Sequence, residues 1–406
     1  MRATENRPGS VPPVDTRPEP PLLLVADSLD VGGAERHVVN LAAALVRSGW
    51  RVTIACSVGG ALATDARAAG VKVYPLIGFL VKRRVDARYA WRLALLARRG
   101  GFGLVHAHMF ASSVAAAAAA TLAQLPLVIT EHSEAGWRSP RARWFSRQAY
   151  ARAATIIAVS DGIRDRLITV DGVPADRVST IHNACASRAE LSSSMPPWLG
   201  PDSPTGPVIG VVARLQAEKG VRYFVEAAAR IAVEAPSARF VVIGDGPLRA
   251  SLTALADELG LARRMLFAGF CLDASALIRY LNILVVPSLS EGTPLVVLEG
   301  MFAGVPIVAS NVGGIPEQVR HEREALLIRP GNSEELADAV TRLLREPQLA
   351  SMLAETARRR ARESFAPDIL LPDTETIYRA ALRNRTGRKG GRGERGGFVA
   401  QPRALT

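Results

Sequence analysis

The chain has 406 residues, too many for one ordinary domain and enough for two. Hydrophobic residues make up 48% and aromatics only 5%, so sizeable cores are built mainly from Ala, Val, Leu and Ile. A formal charge of +12 excludes an acidic, charge-extended chain; it points to an anionic ligand, an anionic membrane or nucleic acid, or to arginine-rich composition alone.

Residues 1–19 are Pro-rich and charged and lack the apolar centre of a signal peptide, so a disordered tail is expected there. Cys56, Cys185 and Cys271 lie far apart, with no CxxC and no His/Cys metal spacing. Free thiols in a reducing, cytoplasmic setting follow. No run of 18 apolar residues offers a membrane span.

From Pro21 onward, short apolar runs alternate with helix-length segments. PLLLVA leads into a helix over Ala34–Ser48; RVTIAC, VKVYPL, GLVHAH, PLVIT and TIIAVS follow. Continuous apolar runs separated by helices indicate a parallel sheet covered on both faces. This first unit is expected over 20–191. The Pro/Ser/Gly-rich stretch 192–206 reads as a linker.

The alternation restarts over 207–365: PVIGVVA, a helix near Gly220–Ala235, RFVVIG, a helix over Pro247–Leu259, MLFAG, ILVVP, a helix over Pro294–Ala303, then VPIVAS. Helices near Ser333–Arg345 and Pro347–Ser364 follow. One over 366–384 is placed to cross back to the first unit, and a basic Gly/Arg-rich tail, 385–406, closes the chain. The fold class is α/β: two tandem Rossmann-like, doubly wound parallel-sheet domains facing a central cleft, with ligands beyond the strands' carboxyl ends.

The chemistry gathers at those ends. SLSEGTPLVVLEG holds Glu291 and Glu299 around a helix start, with Thr293 as its expected cap and Pro294 at its first position. The helix N-terminus suits phosphate; two acids beside it suit hydroxyls. A ligand with phosphates in the middle and polyols at both ends, a nucleotide sugar, meets both demands. VARLQAEKG offers Arg214 and Lys219 after the first strand of the second unit. At ~4 Å from a pyrophosphate each cation contributes about 4 kcal/mol gross, against about 0.3–1 for the helix end, so the side chains dominate. Gly244 in GDGP allows close backbone approach, and Gly32 and Gly33 in VGGAER do so with positive φ available. HAH ends in His108, directed at the cleft, after His106, which reads as a satisfied structural residue; EHS, Glu131–Ser133, ends the next strand.

In order and placement, GGAER, HAH, EHS, RLQAEKG, GDGP and the Glu291–Glu299 pair before NVGGIPE resemble the retaining glycosyltransferases of family 4, of GT-B fold, over residues 21–384. The resemblance implies transfer of a hexose-type sugar from a nucleoside-diphosphate sugar (UDP, GDP or ADP) to a hydroxyl acceptor. The implied setting is polysaccharide or glycolipid biosynthesis. Catalysis would proceed by front-face displacement with His108, Arg214, Lys219 and Glu291, and without cofactor or metal. It implies that Arg214 and Lys219 hold the diphosphate and that Glu299 accepts from ribose. Glu291 would contact the transferred sugar, with backbone from Gly292 through Thr293 and Pro294 to Leu295 alongside, and His108 would touch the sugar from the opposite domain. Gly32, Gly33 and Gly244 would approach the donor, and Phe270 would lie at the nucleobase pocket.

The acceptor is expected on the first domain, near Glu131 and His132. There GWRSPRARWFSRQAYAR interleaves Trp137, Trp144, Phe145 and Tyr150 with Arg138, Arg141, Arg143, Arg147 and Arg152, and VKRRVDAR adds positive charge. Such a surface suits an anionic lipid interface and a lipid-linked acceptor, or is an ordinary amphipathic helix; no specific nucleic acid is expected. Two other readings stay open: a nucleotide-sugar epimerase of the same architecture, and a non-catalytic sugar-nucleotide or polyanion binder.

Overall fold

The structure, a computed structural model, describes residues 19–134, 136–185, 196 and 206–390. The proposed linker and both tails therefore lie almost wholly outside the described residues. Two parallel sheets carry the chain.

The first sheet has the order β3-β2-β1-β4-β5-β6-β7. Its strands are β1 (Leu22–Ser28), β2 (Val52–Val58), β3 (Lys72–Pro75), β4 (Leu104–His108), β5 (Leu127–Glu131), β6 (Thr155–Ala158) and β7 (Val178–Thr180). The second has the order β10-β9-β8-β11-β12-β13. Its strands are β8 (Val208–Val212), β9 (Arg239–Ile243), β10 (Met265–Gly269), β11 (Ile283–Val286), β12 (Ile307–Ser310) and β13 (Leu326–Ile328). Strand order reverses between β1 and β4 and between β8 and β11, the two crevices where such sheets bind ligands.

The apolar runs form strands because both of their faces are covered. Leu22, Leu23, Leu24 and Val25 are all fully buried, their alternate side chains packing into two separate cores. Burying each such side chain stabilises the fold by roughly 1.5–3 kcal/mol. The strands missed in the sequence, β7 and β13, have only three residues each and lie at sheet edges, too short for a periodic signal.

The connecting helices that matter for the site are α1 (Gly33–Arg47), α3 (Ala87–Arg99), α4 (Phe110–Ala123), α5 (Pro140–Arg152), α6 (Asp161–Thr169), α10 (Leu295–Ala303), the single turn α11 (Ile315–Gln318) and α14 (Pro367–Gly390). α14 continues past residue 384, into the stretch expected to be a tail. It packs on the first lobe: Trp50 Nε1 donates to Glu375 at 2.9 Å, and Ile377, Tyr378 and Ala381 join the core beneath β1 and β2. Among the described residues no helix is long and apolar enough to cross a membrane.

Candidate active site at the lobe interface

The carboxyl ends of the two sheets meet. The loop between β11 and α10 lies against the ends of β5 and β6. The Thr293 hydroxyl donates to the Val159 carbonyl, and Asn183 Nδ2 donates to the Thr293 carbonyl at 2.7 Å. Thr293 is therefore not the cap of α10. The helix starts one residue later than expected, with Pro294 in extended conformation at the cap position and no side-chain cap. The hydroxyl is spent on the opposite lobe instead. Gly292 is a matter of space: a β-carbon there would run into the His132 carbonyl.

On the second lobe, Lys219 Nζ lies 2.7 and 2.9 Å from the two Glu291 oxygens, and Ser288 Oγ donates to the same carboxylate at 2.7 Å. Lys219 and Glu291, expected to serve phosphate and sugar separately, thus face one another at the head of α10. Arg214 follows β8 with its side chain exposed. Glu299 sits half-buried on α10. Gly244 follows β9 with φ 143°, a conformation that a side chain would strain, and its N–H bonds the Gly269 carbonyl at 2.8 Å. Phe270, next in the chain, is 61% exposed.

On the first lobe, Gly32 and Gly33 open α1, but neither takes the positive φ expected; Gly32 is extended at φ −168° and Gly33 has open space around it. His106 is a buried structural residue, with Nδ1 2.6 Å from the Tyr378 hydroxyl and Nε2 2.7 Å from Thr130 Oγ1. His108 is fully buried, its Nδ1 3.1 Å from His132 Nε2. The ring of His37, one turn into α1, lies 5.6 Å from that of His108 and 4.9 Å from that of His132. Burial, reinforced by neighbouring imidazoles, pushes His37 and His108 well below the ordinary histidine value and His132 down to about 3. One nitrogen from each of the three comes within 4.8 Å of the others, so a metal would be sought here first. His108 Nδ1 and His132 Nε2 face one another at hydrogen-bond distance, and the far nitrogens of both rings lack the acceptors that normally orient ligating imidazoles. The outer hydrogen bonds that support a resident metal are thus missing at two of the three rings.

Two expected acceptor-side residues turn inward. Arg138 Nη2 lies 2.7 Å from Glu131 Oε2, Tyr150 donates to the same oxygen at 2.5 Å, and Arg166 approaches to 3.9 Å. Burial pushes the Glu131 carboxyl up, but the two guanidiniums and the tyrosine hydroxyl outweigh it and hold it below the usual carboxylate range. Glu131 and Arg138 anchor the loop ahead of α5 rather than face solvent. Trp137 and Phe145 pack on the core and Tyr150 joins it. The basic aromatic surface shrinks to Arg141, Arg143, Trp144 and Arg147, with Trp144 56% exposed.

Sequence reasoning missed three residues. Glu317, quoted only within NVGGIPE, reaches the other lobe: its carboxylate accepts from the Asp161 and Gly162 N–H groups at the start of α6, and His182 Nε2 lies 2.7 Å away. Asp27, at the end of β1, accepts from Ser112 N at 2.9 Å and Ser112 Oγ at 2.8 Å, so it fixes the start of α4 just after His108. His37 lies four residues after Gly33, hence on the same helix face, a spacing that would have drawn attention to it.

A two-lobed parallel-sheet enzyme with cations, acids and neutral imidazoles around one interface is the architecture of a GT-B glycosyltransferase. The family described as Glycosyltransferase Family 4 matches residues 31–186, and that described as Glycosyl transferases group 1 matches 201–360. An alpha-D-kanosaminyltransferase of Streptomyces kanamyceticus is 32% identical over 279 residues, 62% of this chain and 71% of that protein. A 2-deoxystreptamine glucosyltransferase of the same organism is 37% identical over 223 residues, 52% and 55% of the two chains. The fold is shared with Anabaena HepE in complex with UDP and glucose, at a TM-score of 0.78 and 22% identity, covering 89% of this chain and all of that one. The chain belongs to the family 4 glycosyltransferases.

Proposed function

We propose that the protein moves a hexose from a nucleoside-diphosphate sugar to a hydroxyl acceptor with retention of anomeric configuration. Residues 20–191 carry the acceptor side and 207–365 the donor. The observation that carries this reading is the pairing of Lys219 with Glu291 at the head of α10, beside the exposed Arg214. An ammonium held by a carboxylate is positioned without a ligand; an arriving diphosphate takes over the cation and releases Glu291 to accept from sugar hydroxyls. Glu299, further along α10, serves the ribose.

In the proposed front-face step the bond from the anomeric carbon to phosphate oxygen breaks first. The acceptor oxygen then attacks from the side the phosphate leaves, and the acceptor proton passes to the departing phosphate. Arg214 and Lys219 balance the charge that develops there, the largest electrostatic demand of the reaction. No metal enters this step; unchanged turnover in excess EDTA is expected.

UDP is the first donor base to test, since a glucosyltransferase is among the relatives and UDP occupies a fold neighbour. The 2-deoxystreptamine glucosyltransferase among the relatives supports a small hydroxylated acceptor of that kind as the first to test. A lipid-linked acceptor at a membrane face is the second reading, favoured by the exposed Trp144 with Arg141 and Arg143; sedimentation with anionic vesicles at low salt tests it. The central experiment is a screen of UDP-, GDP- and ADP-sugars with acceptors, following nucleoside diphosphate release, product mass and anomeric proton couplings. Sugar-nucleotide conversion without nucleoside diphosphate release would make the protein an epimerase. Binding without conversion would make it a sensor.

A further inference from the structure

Two buried imidazole nitrogens stand out at the interface. His108 Nε2 and His132 Nδ1 have no hydrogen-bond partner, while the inner nitrogens of the same two rings face one another at 3.1 Å. A buried polar atom without a partner is costly, and in a binding site it points to a ligand.

The inner contact constrains the outer atoms. A neutral imidazole carries one N–H and one lone pair. If His132 Nε2–H donates to His108 Nδ1, His108 must hold its proton on Nε2. If His108 Nδ1–H donates to His132 Nε2, His132 must hold its proton on Nδ1. Both rings are then protonated on Nε2 or both on Nδ1. In either case one outer nitrogen donates and the other accepts.

We propose that His132 is a positioning residue that locks His108 into the matching tautomer, so that the outer nitrogens form a donor–acceptor pair reading hydroxyls of the sugar substrate. The inference rests on the sugar-transfer reading above. Sugar hydroxyls donate and accept at once, which is what this pair demands. The pair works only while neutral. Its imidazole neighbours are His106 on β4 and His37 on α1, ring centroids 4.1 and 5.6 Å from His108; any protonated ring among the four repels protons from the others. The His106 nitrogens are taken by Tyr378 and Thr130, so it cannot substitute for His132.

The test has two arms. In the unliganded protein, selectively 15N-labelled for its six histidines and assigned by single variants, His108 and His132 should both be neutral at pH 7 and share one tautomer. Unlike tautomers, or an imidazolium in either ring, would overturn the proposal whatever the enzyme's activity. In the second arm, His132→Phe should lower kcat/KM about 10- to 100-fold by orphaning His108 Nδ1. His132→Gln, whose amide can complete the same bond, should recover most of the loss. A His132→Phe enzyme with wild-type turnover would also overturn it. Matched tautomers in a protein that turns over no nucleotide sugar would sink the sugar-transfer reading and leave the pair standing.

Discussion

The two lobes meet the same interface with opposite electrostatics. The second brings charge: Lys219 on Glu291, Arg214 in the open, Glu299 on α10. The first brings mostly neutral or self-cancelled groups: three histidines held below their ordinary range and Glu131 buried among guanidiniums. The contrast matches the proposed division of labour. A departing phosphate requires formal charge, whereas hydroxyls are read by hydrogen bonds that a stray charge would blur.

The sharpest way to break the comparison is to uncover charge on the quiet side. Arg138→Leu leaves the buried Glu131 carboxylate without its closest cation and should destabilise the protein by about 3–5 kcal/mol, read from urea unfolding. Adding Glu131→Gln should recover part of it. Because Glu131 is held below its ordinary value, its contribution is present above about pH 4.5 and lost as pH falls through the lower folded value.

On the charged side, Lys219→Ala should cost about 3 kcal/mol in kcat/KM. Near-normal turnover would remove Lys219 from the phosphate role.

Asp27 sharpens the comparison in the other direction. Burial raises its carboxyl from 3.8 to about 6 despite the Ser112 bonds. Between those values the folded state binds the extra proton, so stability falls as pH rises through the window. Asp27→Asn, whose amide oxygen can accept both Ser112 bonds, should therefore raise stability by about 1–3 kcal/mol at pH 7.5. The gain should vanish below pH 4. A destabilised variant at pH 7.5 would show that the carboxylate's charge is needed. The smallest effect expected is Glu299→Gln, weakening donor binding by about 1 kcal/mol in calorimetry; an acceptor-side defect alone would remove Glu299 from the ribose.

Much of this was legible in the sequence for physical reasons. Parallel strands buried on both faces leave unbroken apolar runs, and the helices Ser333–Arg345 and Pro347–Ser364 appear with the bounds their patterns gave. The charged lobe was readable because its residues cluster along the chain around β8 and β11. What escaped was long-range pairing. Nothing local tells Thr293 to bond Val159 rather than cap its own helix, or sets Glu317 on the start of α6. The aromatic–arginine stretch near α5 read as surface because its period does not show that Arg138 and Tyr150 share a buried carboxylate.

The helix α14 has a consequence for how the molecule comes into being. Tyr378 holds His106, two residues before His108, and its neighbours complete the hydrophobic interior beneath β1 and β2. The lobe synthesised first is thus finished by a segment synthesised much later. While the ribosome is still making the second sheet, the nascent first lobe carries an open apolar seam, and shortening the chain ahead of Ile377 should disable a pocket whose own residues are all present.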